Sequence, residues 1–370
     1  SPSHRQSESI MNLNDSLSLV NERIRNLTRY HLEPETTDIK LNQNENPYDL
    51  PAGIKDEIAA FCRKRPFNRY PNFVPDALKA KLSAYSGVPA GGIMVGNGSN
   101  EMLLVLLLSL ASQGKDVILC QPTFTLYRLL AGGLGAIERT VFLTNDLTFN
   151  VEKICEAASQ YPRSLMVLCS PNNPTGCSLS ESDIRAILAA HTGFLVLDQA
   201  YVEFGGYSAA PLLKENPNLI ITRTFSKAFS GAGLRLGYML GTPDVVQEMY
   251  KIKLPYNINF FSEQVAGVLL DNADKLRPRV QELSARRDSL YAFLASMPFD
   301  AVYPSTANFI LMRTKRKNEL FSFLKKKSIL VRDVSQYQML DNCLRVNVGS
   351  EEETGAFQSA VNDFFKTATA

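Results

Sequence analysis

The sequence predicts an α/β fold: a mostly parallel central sheet covered by helices on both faces, joined to a smaller α+β domain. Three observations predict it. Between Ile93 and Asp198, short and wholly apolar runs alternate with helical stretches, the pattern of strands buried on both faces of a parallel sheet. From about Pro243 that alternation stops, and helices followed by three short apolar runs replace it. The 370 residues are enough for two cores.

In chain order, residues 1–10 are polar and lack a hydrophobic signal core. They are expected to be a tag remnant or disordered tail, with Met11 as the natural start. Residues 11–48 are expected to form an N-terminal helix and an arm joining the small domain. Leu17, Val20, Ile24 and Leu27 give Asn14–Leu27 a helical spacing, with Tyr30 just beyond. Ile39 to Tyr48 is too rich in Asn and Pro for a helix, and suits an extended arm crossing a surface.

The large domain is expected to span 49–255. It opens with a short amphipathic helix, Ile54–Phe61, and a turn at Asn68-Arg-Tyr70-Pro71. Strands are predicted at 93–95, 116–120, 137–143, 165–169 and 194–198. Helices are predicted at 99–111, 123–131, 151–159 and 180–190. Two further apolar runs, from Asn218 and from Leu236, flank residues 222–237 and read as buried strands. Residues 256–370 are expected to form the small domain. It has helices to Leu270 and over Asp274–Ala295, strands near 308–311, 329–332 and 344–348, and a closing helix from Glu351 to about Phe365.

Composition excludes several functions. A net charge of +2 gives no reason to expect nucleic acid or a membrane surface as partner. Lys325-Lys326-Lys327 reads as the solvated face of a helix. The longest apolar stretch, Met102 to Ala111, is about half of a bilayer span. Six cysteines without a CxxC pair suit free thiols in a reduced, cytoplasmic setting. Outside the tail only His31 and His191 remain. A zinc cage or a Ser-His-Asp triad is therefore not expected, and no metal is expected.

Ligands of open parallel sheets bind beyond the carboxyl ends of the strands, and polar residues gather there. Asp198 ends one apolar run, Asn173 follows another, the turn Gly96-Asn-Gly98-Ser99 follows a third, and Ser226 and Lys227 follow a fourth. Alone, Lys227 would be an ordinary exposed lysine and Asp198 a helix cap. Together, a lysine held between apolar strands loses its proton and becomes able to form a Schiff base. The glycine turn ahead of a helix suits a phosphate. It begins like GxGxxG, but Glu101 stands sixth and no acid ends the next run. A nucleotide-dependent oxidoreductase is thus the weaker alternative.

In order, Ser170-Pro-Asn-Asn-Pro-Thr-Gly176, Asp198-Gln-Ala-Tyr201, Ser226-Lys227-Ala-Phe229 and Gly233-Leu-Arg235-Leu-Gly237 resemble the motifs of class I/II pyridoxal-phosphate-dependent aminotransferases. The chain is most similar to the histidinol-phosphate aminotransferases. Residues 25–30, Leu41-Asn-Gln-Asn-Glu-Asn-Pro47, Val331-Arg-Asp333 and Cys343-Leu-Arg345-Val-Asn-Val-Gly349 carry that narrower likeness. The resemblance runs from about Arg23 to the end.

It implies the pyridoxal-phosphate fold type I, the cofactor pyridoxal 5'-phosphate and a homodimer. Lys227 resembles the lysine that holds the cofactor, and Asp198 the acid that pairs with the pyridine nitrogen. Asn173 and Tyr201 match the groups on the ring's phenolic oxygen. Ser99, Asn100, Ser226 and Arg235 match the phosphate cradle, and Phe124 the stacked aromatic. Tyr70 matches the tyrosine that reaches the partner's phosphate. Arg345 resembles the arginine that takes a carboxylate, and Arg332 with Tyr30 the extra phosphate contact. Gln199 departs from the usual Asp-Glu-Ala-Tyr and removes one charge beside Asp198.

The implied reaction exchanges the amine of histidinol phosphate with 2-oxoglutarate, giving imidazole acetol phosphate and glutamate. An aromatic or broad-range aminotransferase and a threonine-phosphate decarboxylase are the alternatives within the cofactor class.

Overall fold

The computed structural model describes residues 12–28 and 36–366; the expected tail and Tyr30 lie outside the described residues. In chain order the strands are β1 (Ile39–Leu41), β2 (Ile93–Gly96), β3 (Asp116–Gln121), β4 (Ile137–Phe142), β5 (Leu165–Cys169) and β6 (Phe194–Asp198). They continue with β7 (Leu219–Thr224), β8 (Gly237–Leu240), β9 (Ala301–Tyr303), β10 (Phe309–Arg313), β11 (Ile329–Asp333) and β12 (Cys343–Asn347).

Seven of them form one sheet in the order β2-β8-β7-β6-β5-β3-β4. The pairs from β4 through β7 are parallel, and β8 runs antiparallel to both its neighbours. Strict alternation of side chains explains why these strands are apolar throughout. Ile118, Met166, Leu168, Leu195, Leu197 and Ile221 face one core. Val117, Leu119, Val167, Val196 and Ile220 face a second core on the other side. Helices Ser99–Leu110, Leu126–Gly133 and Pro243–Tyr250 supply buried side chains to that second core. Helices Val151–Gln160 and Glu181–Ala190 cover the first. Burying each aliphatic side chain contributes about 1.5–3 kcal/mol, so a polar residue on either face must bring a partner with it.

The other five strands form the sheet β1-β11-β12-β10-β9. Its first strand comes from the opposite end of the chain: β1 pairs parallel with β11, Ile39 opposite Ile329.

Four expectations need correction. Asn14–Leu27 is two short helices, Leu13–Ser18 and Glu22–Arg25, because the side chain of Asn21 accepts the N–H of Arg23 and starts a new one. The arm is not a surface crossing: Asn42 and Asn44 are buried. Helix Asp76–Ser86 was not anticipated, nor was the three-residue strand β9, whereas the Lys325-Lys326-Lys327 run does close a helix, Lys317–Lys326. Helix Asp76–Ser86 follows Pro75 and carries a charge or hydroxyl at nearly every second position, so its apolar stripe is thin.

Candidate active site

The carboxyl ends of β5, β6 and β7 open on one cavity of about 470 Å³. Its lining includes Ser99, Asn100, Phe124, Asn173, Asp198, Tyr201, Ser226, Lys227, Arg235, Arg332 and Arg345. Every sequence-predicted site residue among those described is therefore gathered there, except Tyr70. That ring is exposed and lies face to face with Tyr256, centroids 4.6 Å apart.

Each group is held by its neighbours. Lys227 donates from Nζ to the main-chain carbonyl of Gln43 at 3.0 Å. Asp198 is buried; its Oδ2 accepts from the Tyr127 hydroxyl at 2.7 Å and its Oδ1 from the Ala200 N–H at 3.1 Å. Asn44 donates to the Tyr201 hydroxyl at 3.0 Å, which leaves that O–H to donate into the cavity. Arg345 donates to Asn173 Oδ1 at 2.5 Å and to the Asn42 carbonyl at 2.8 Å. With its oxygen engaged, Asn173 can offer its amide nitrogen to a ligand.

At the opposite side, helix Ser99–Leu110 begins at Gly98 with no side-chain cap, so its first N–H groups are available to an anion. Gly98 has φ +80°, and a Cβ there would lie 2.9 Å from Arg235 Nη2. Gly237 is tighter still: a Cβ would meet the Ser99 nitrogen at 2.2 Å. Arg235, itself left-handed at φ 51°, donates to Ser226 Oγ at 3.4 Å and to the Ala232 carbonyl at 3.1 Å.

The second sheet contributes two cations. Arg332 on β11 and Arg345 on β12 are directly opposite in the antiparallel register, and both line the cavity. Like charges facing each other across strands are unfavourable. The pair therefore calls for an anion, which guanidinium forks bind well.

Burial and charge set the protonation. Burial first, then the neighbouring Arg345, pushes the Lys227 amine down to about 7. Burial pushes the Asp198 carboxyl up, and the bonds from Tyr127 and the Ala200 N–H oppose that. Burial likewise raises the Tyr201 hydroxyl, which keeps it a donor. The site thus holds an amine that loses its proton far more readily than an ordinary lysine, a buried acid held by neutral donors, and anion-binding groups at the helix start, at Arg235 and at the Arg332–Arg345 pair.

A family profile described as aminotransferase class I and II matches residues 36–361. This chain belongs to the class I and II aminotransferases. The histidinol-phosphate aminotransferase of Chlorobium phaeovibrioides is 37% identical over 349 residues, covering 94% of this chain and 97% of that protein. That of Chlorobaculum tepidum is also 37% identical, over 90% of this chain and 97% of its own. Among solved structures, the histidinol-phosphate aminotransferase of Sinorhizobium meliloti in complex with pyridoxal-5'-phosphate superposes with a TM-score of 0.84. It is 22% identical, covering 95% of this chain and 98% of that one; at that identity the likeness establishes the fold, pyridoxal-phosphate fold type I.

Within this aminotransferase site, sequence reasoning missed Gln43, Thr224 and Tyr127. Gln43 acts through a main-chain carbonyl, which no side-chain pattern reveals. Thr224 lines the cavity and its Oγ1 accepts the N–H of Ser226 at 3.1 Å; its place two residues before Ser226 was the available signal. Gln199, the departure from the family pattern, is wholly buried and turned away from the cavity. Its oxygen accepts from Arg223 and the Ala209 N–H, and its nitrogen donates to the Tyr207 carbonyl.

Proposed function

We propose that this aminotransferase carries the amino group of histidinol phosphate to 2-oxoglutarate, forming imidazole acetol phosphate and glutamate, as a step of histidine biosynthesis with pyridoxal 5'-phosphate as cofactor. The observation that carries the reading is a single cavity. In it Lys227, whose amine is pushed down to about 7, shares the lining with Asp198, Asn173, Arg235 and the facing pair Arg332 and Arg345.

The residues fit that cofactor. The uncapped helix start at Ser99 and Asn100, with Ser226 and Arg235, suits its phosphate. The two donors, Tyr201 O–H and Asn173 N–H, suit an anionic ring oxygen. Asp198 offers a carboxylate to a ring N–H, and Phe124 an apolar face. When bound, the cofactor supplies an electron sink beside the amine-bearing carbon of the substrate. Lys227 takes the proton from that carbon as general base and returns it as general acid. Arg332 with Arg345 holds the phosphate of histidinol phosphate, and Arg345 the carboxylate of glutamate or 2-oxoglutarate. The resemblance also gives Tyr30 to that phosphate.

The exposed rings of Tyr70 and Phe73 against Tyr256, with exposed Phe67 against Phe260 nearby, support a homodimer in which Tyr70 enters the partner's site. Six unpaired cysteines support a cytoplasmic setting. The β1–β11 pairing supports joining the arm to the small domain, whereas Ile24 and Leu27 lie against Gly132 and Gly133 of the large one. Helix Phe260–Asp271 packs on helices Ala52–Lys64 and Asp76–Ser86, which favours a domain boundary nearer 272 than 256.

The test is an amino-donor assay with histidinol phosphate, phenylalanine and threonine phosphate, 2-oxoglutarate as acceptor. Histidinol phosphate should be preferred. Lys227→Ala should lower turnover by at least about 100-fold, the low end for a lost general base, and remove the visible absorption band of the holoenzyme. Release of carbon dioxide from threonine phosphate without a keto acid, or equal use of phenylalanine, would overturn the reading.

A further inference from the structure

Tyr127 sits in the first turn of helix Leu126–Gly133 with none of its surface exposed. In sequence it is one more apolar residue on the buried face of that helix. Its hydroxyl, however, reaches the end of β6 and donates to Asp198 Oδ2 at 2.7 Å. Its ring meets Phe124 edge-on, with centroids 5.7 Å apart and planes at 88°. One side chain, itself on the cavity lining, therefore touches two other lining groups, the acid and the aromatic ring.

The chemistry of a buried carboxylate gives this contact weight. Among the described residues no basic side chain bonds to Asp198; the Tyr127 hydroxyl and the Ala200 N–H donate to it, and the Thr222 hydroxyl adds a third contact that favours its ionised form. Without donors such a group takes up a proton, and a protonated acid no longer supplies the negative charge that stabilises a cationic heterocycle's ring N–H. O–H···O⁻ bonds are among the shorter and stronger ones. Burial and the adjacent Asp198 raise the Tyr127 hydroxyl well above its ordinary range, so it stays a donor. Fixing Oδ2 from one side also fixes the plane of the carboxylate and hence the direction in which its remaining lone pairs point. The ring contact does the same for Phe124, since an edge-on neighbour limits its rotation.

We infer that Tyr127 is a positioning residue: its hydroxyl holds Asp198 ionised and oriented toward the pyridine nitrogen, and its ring braces Phe124 against the face of the same cofactor. The inference rests on the cofactor reading above.

The test removes the cofactor and titrates it back into the wild type, Tyr127→Phe, Asp198→Asn and the double variant, following visible absorbance and equilibrium dialysis. Thermal unfolding of each cofactor-free protein checks that it is folded. Tyr127→Phe keeps the edge-on ring and loses only the hydroxyl. It should bind pyridoxal phosphate about tenfold or more weakly, as expected for a lost bond to a charged group. The double variant should bind no more weakly than Asp198→Asn, because the hydroxyl acts through the acid. Tyr127→Leu, which also removes the ring, should weaken binding further in both backgrounds.

Binding by Tyr127→Phe within twofold of wild type would overturn the inference. So would a loss that adds in full to that of Asp198→Asn, which marks a general packing defect. A wild type that takes up no pyridoxal phosphate would instead sink the cofactor reading, and this inference with it.

Discussion

The two ends of the same strands bury titratable groups in opposite ways. At the carboxyl ends of β5 and β6, Asp198 is buried beside a cavity, and every atom of its carboxylate is held by a donor that faces it. At the amino ends of those strands, His191 is 1% exposed and neither ring nitrogen makes a well-formed hydrogen bond. It lies against Gly193 and stands just before Phe194, with Ser164 just before Leu165. Burial perturbs both groups: it raises the acid and lowers the imidazole. Only one of them has space in front of it and converging partners. A shifted pKa thus signals burial in both places and chemistry in one.

Three substitutions sharpen that contrast. The largest effect belongs to Asp198→Ala. It should lower kcat by about 10²–10³-fold, the scale of losing one preorganised electrostatic contact; a loss under tenfold would erase the distinction between the two ends. Next comes Arg332→Leu. Leaving Arg345 without its share of the anion should reduce kcat/KM for histidinol phosphate by about 30-fold or more, while phenylalanine changes little. Equal losses on both substrates would mean that the arginine pair does not read phosphate.

The smallest effect is expected at His191. Its folded pKa lies below the unfolded value of about 6.5, so below that pH the unfolded chain binds more protons than the folded one. Stability is complete above about pH 6.5 and declines as pH falls toward the folded pKa, by at most about 1.4 kcal/mol per pH unit. His191→Gln should flatten that decline and leave turnover within twofold. Thermal melts across that window read the first effect, and the standard assay reads the second.

The ends of the large sheet's strands were legible in the sequence because burial on both faces makes each strand an unbroken apolar run. A polar residue closing such a run, as Asp198 does, is conspicuous. The glycine turn at Gly96-Asn-Gly98 was legible for the same reason. What escaped was what another part of the chain supplies. Tyr127 reads as core because its helix face is core, and only the approach of β6 turns its hydroxyl into a donor for Asp198. The arm at 39–48 read as a surface crossing because its asparagines are polar. In the fold, Asn44 and Asn42 are buried by giving and accepting bonds with Tyr201 and Arg345, which lie about 160 and 300 positions away. The break at Asn21 was a local signal, a cap in the middle of a helical spacing, and the regular apolar spacing hid it.

The pairing of β1 with β11 has a temporal consequence. Lys227 rests on the carbonyl of Gln43, two residues beyond β1, and that strand has no neighbour until Ile329–Val331 exists. Contacts so remote along the chain are slow to form, and large proteins assemble by parts as they are synthesised. On the ribosome, the seven-stranded layer can settle while the mouth of the cavity still lacks its docked arm, Arg332 and Arg345. The competent pocket is among the last things this polypeptide completes.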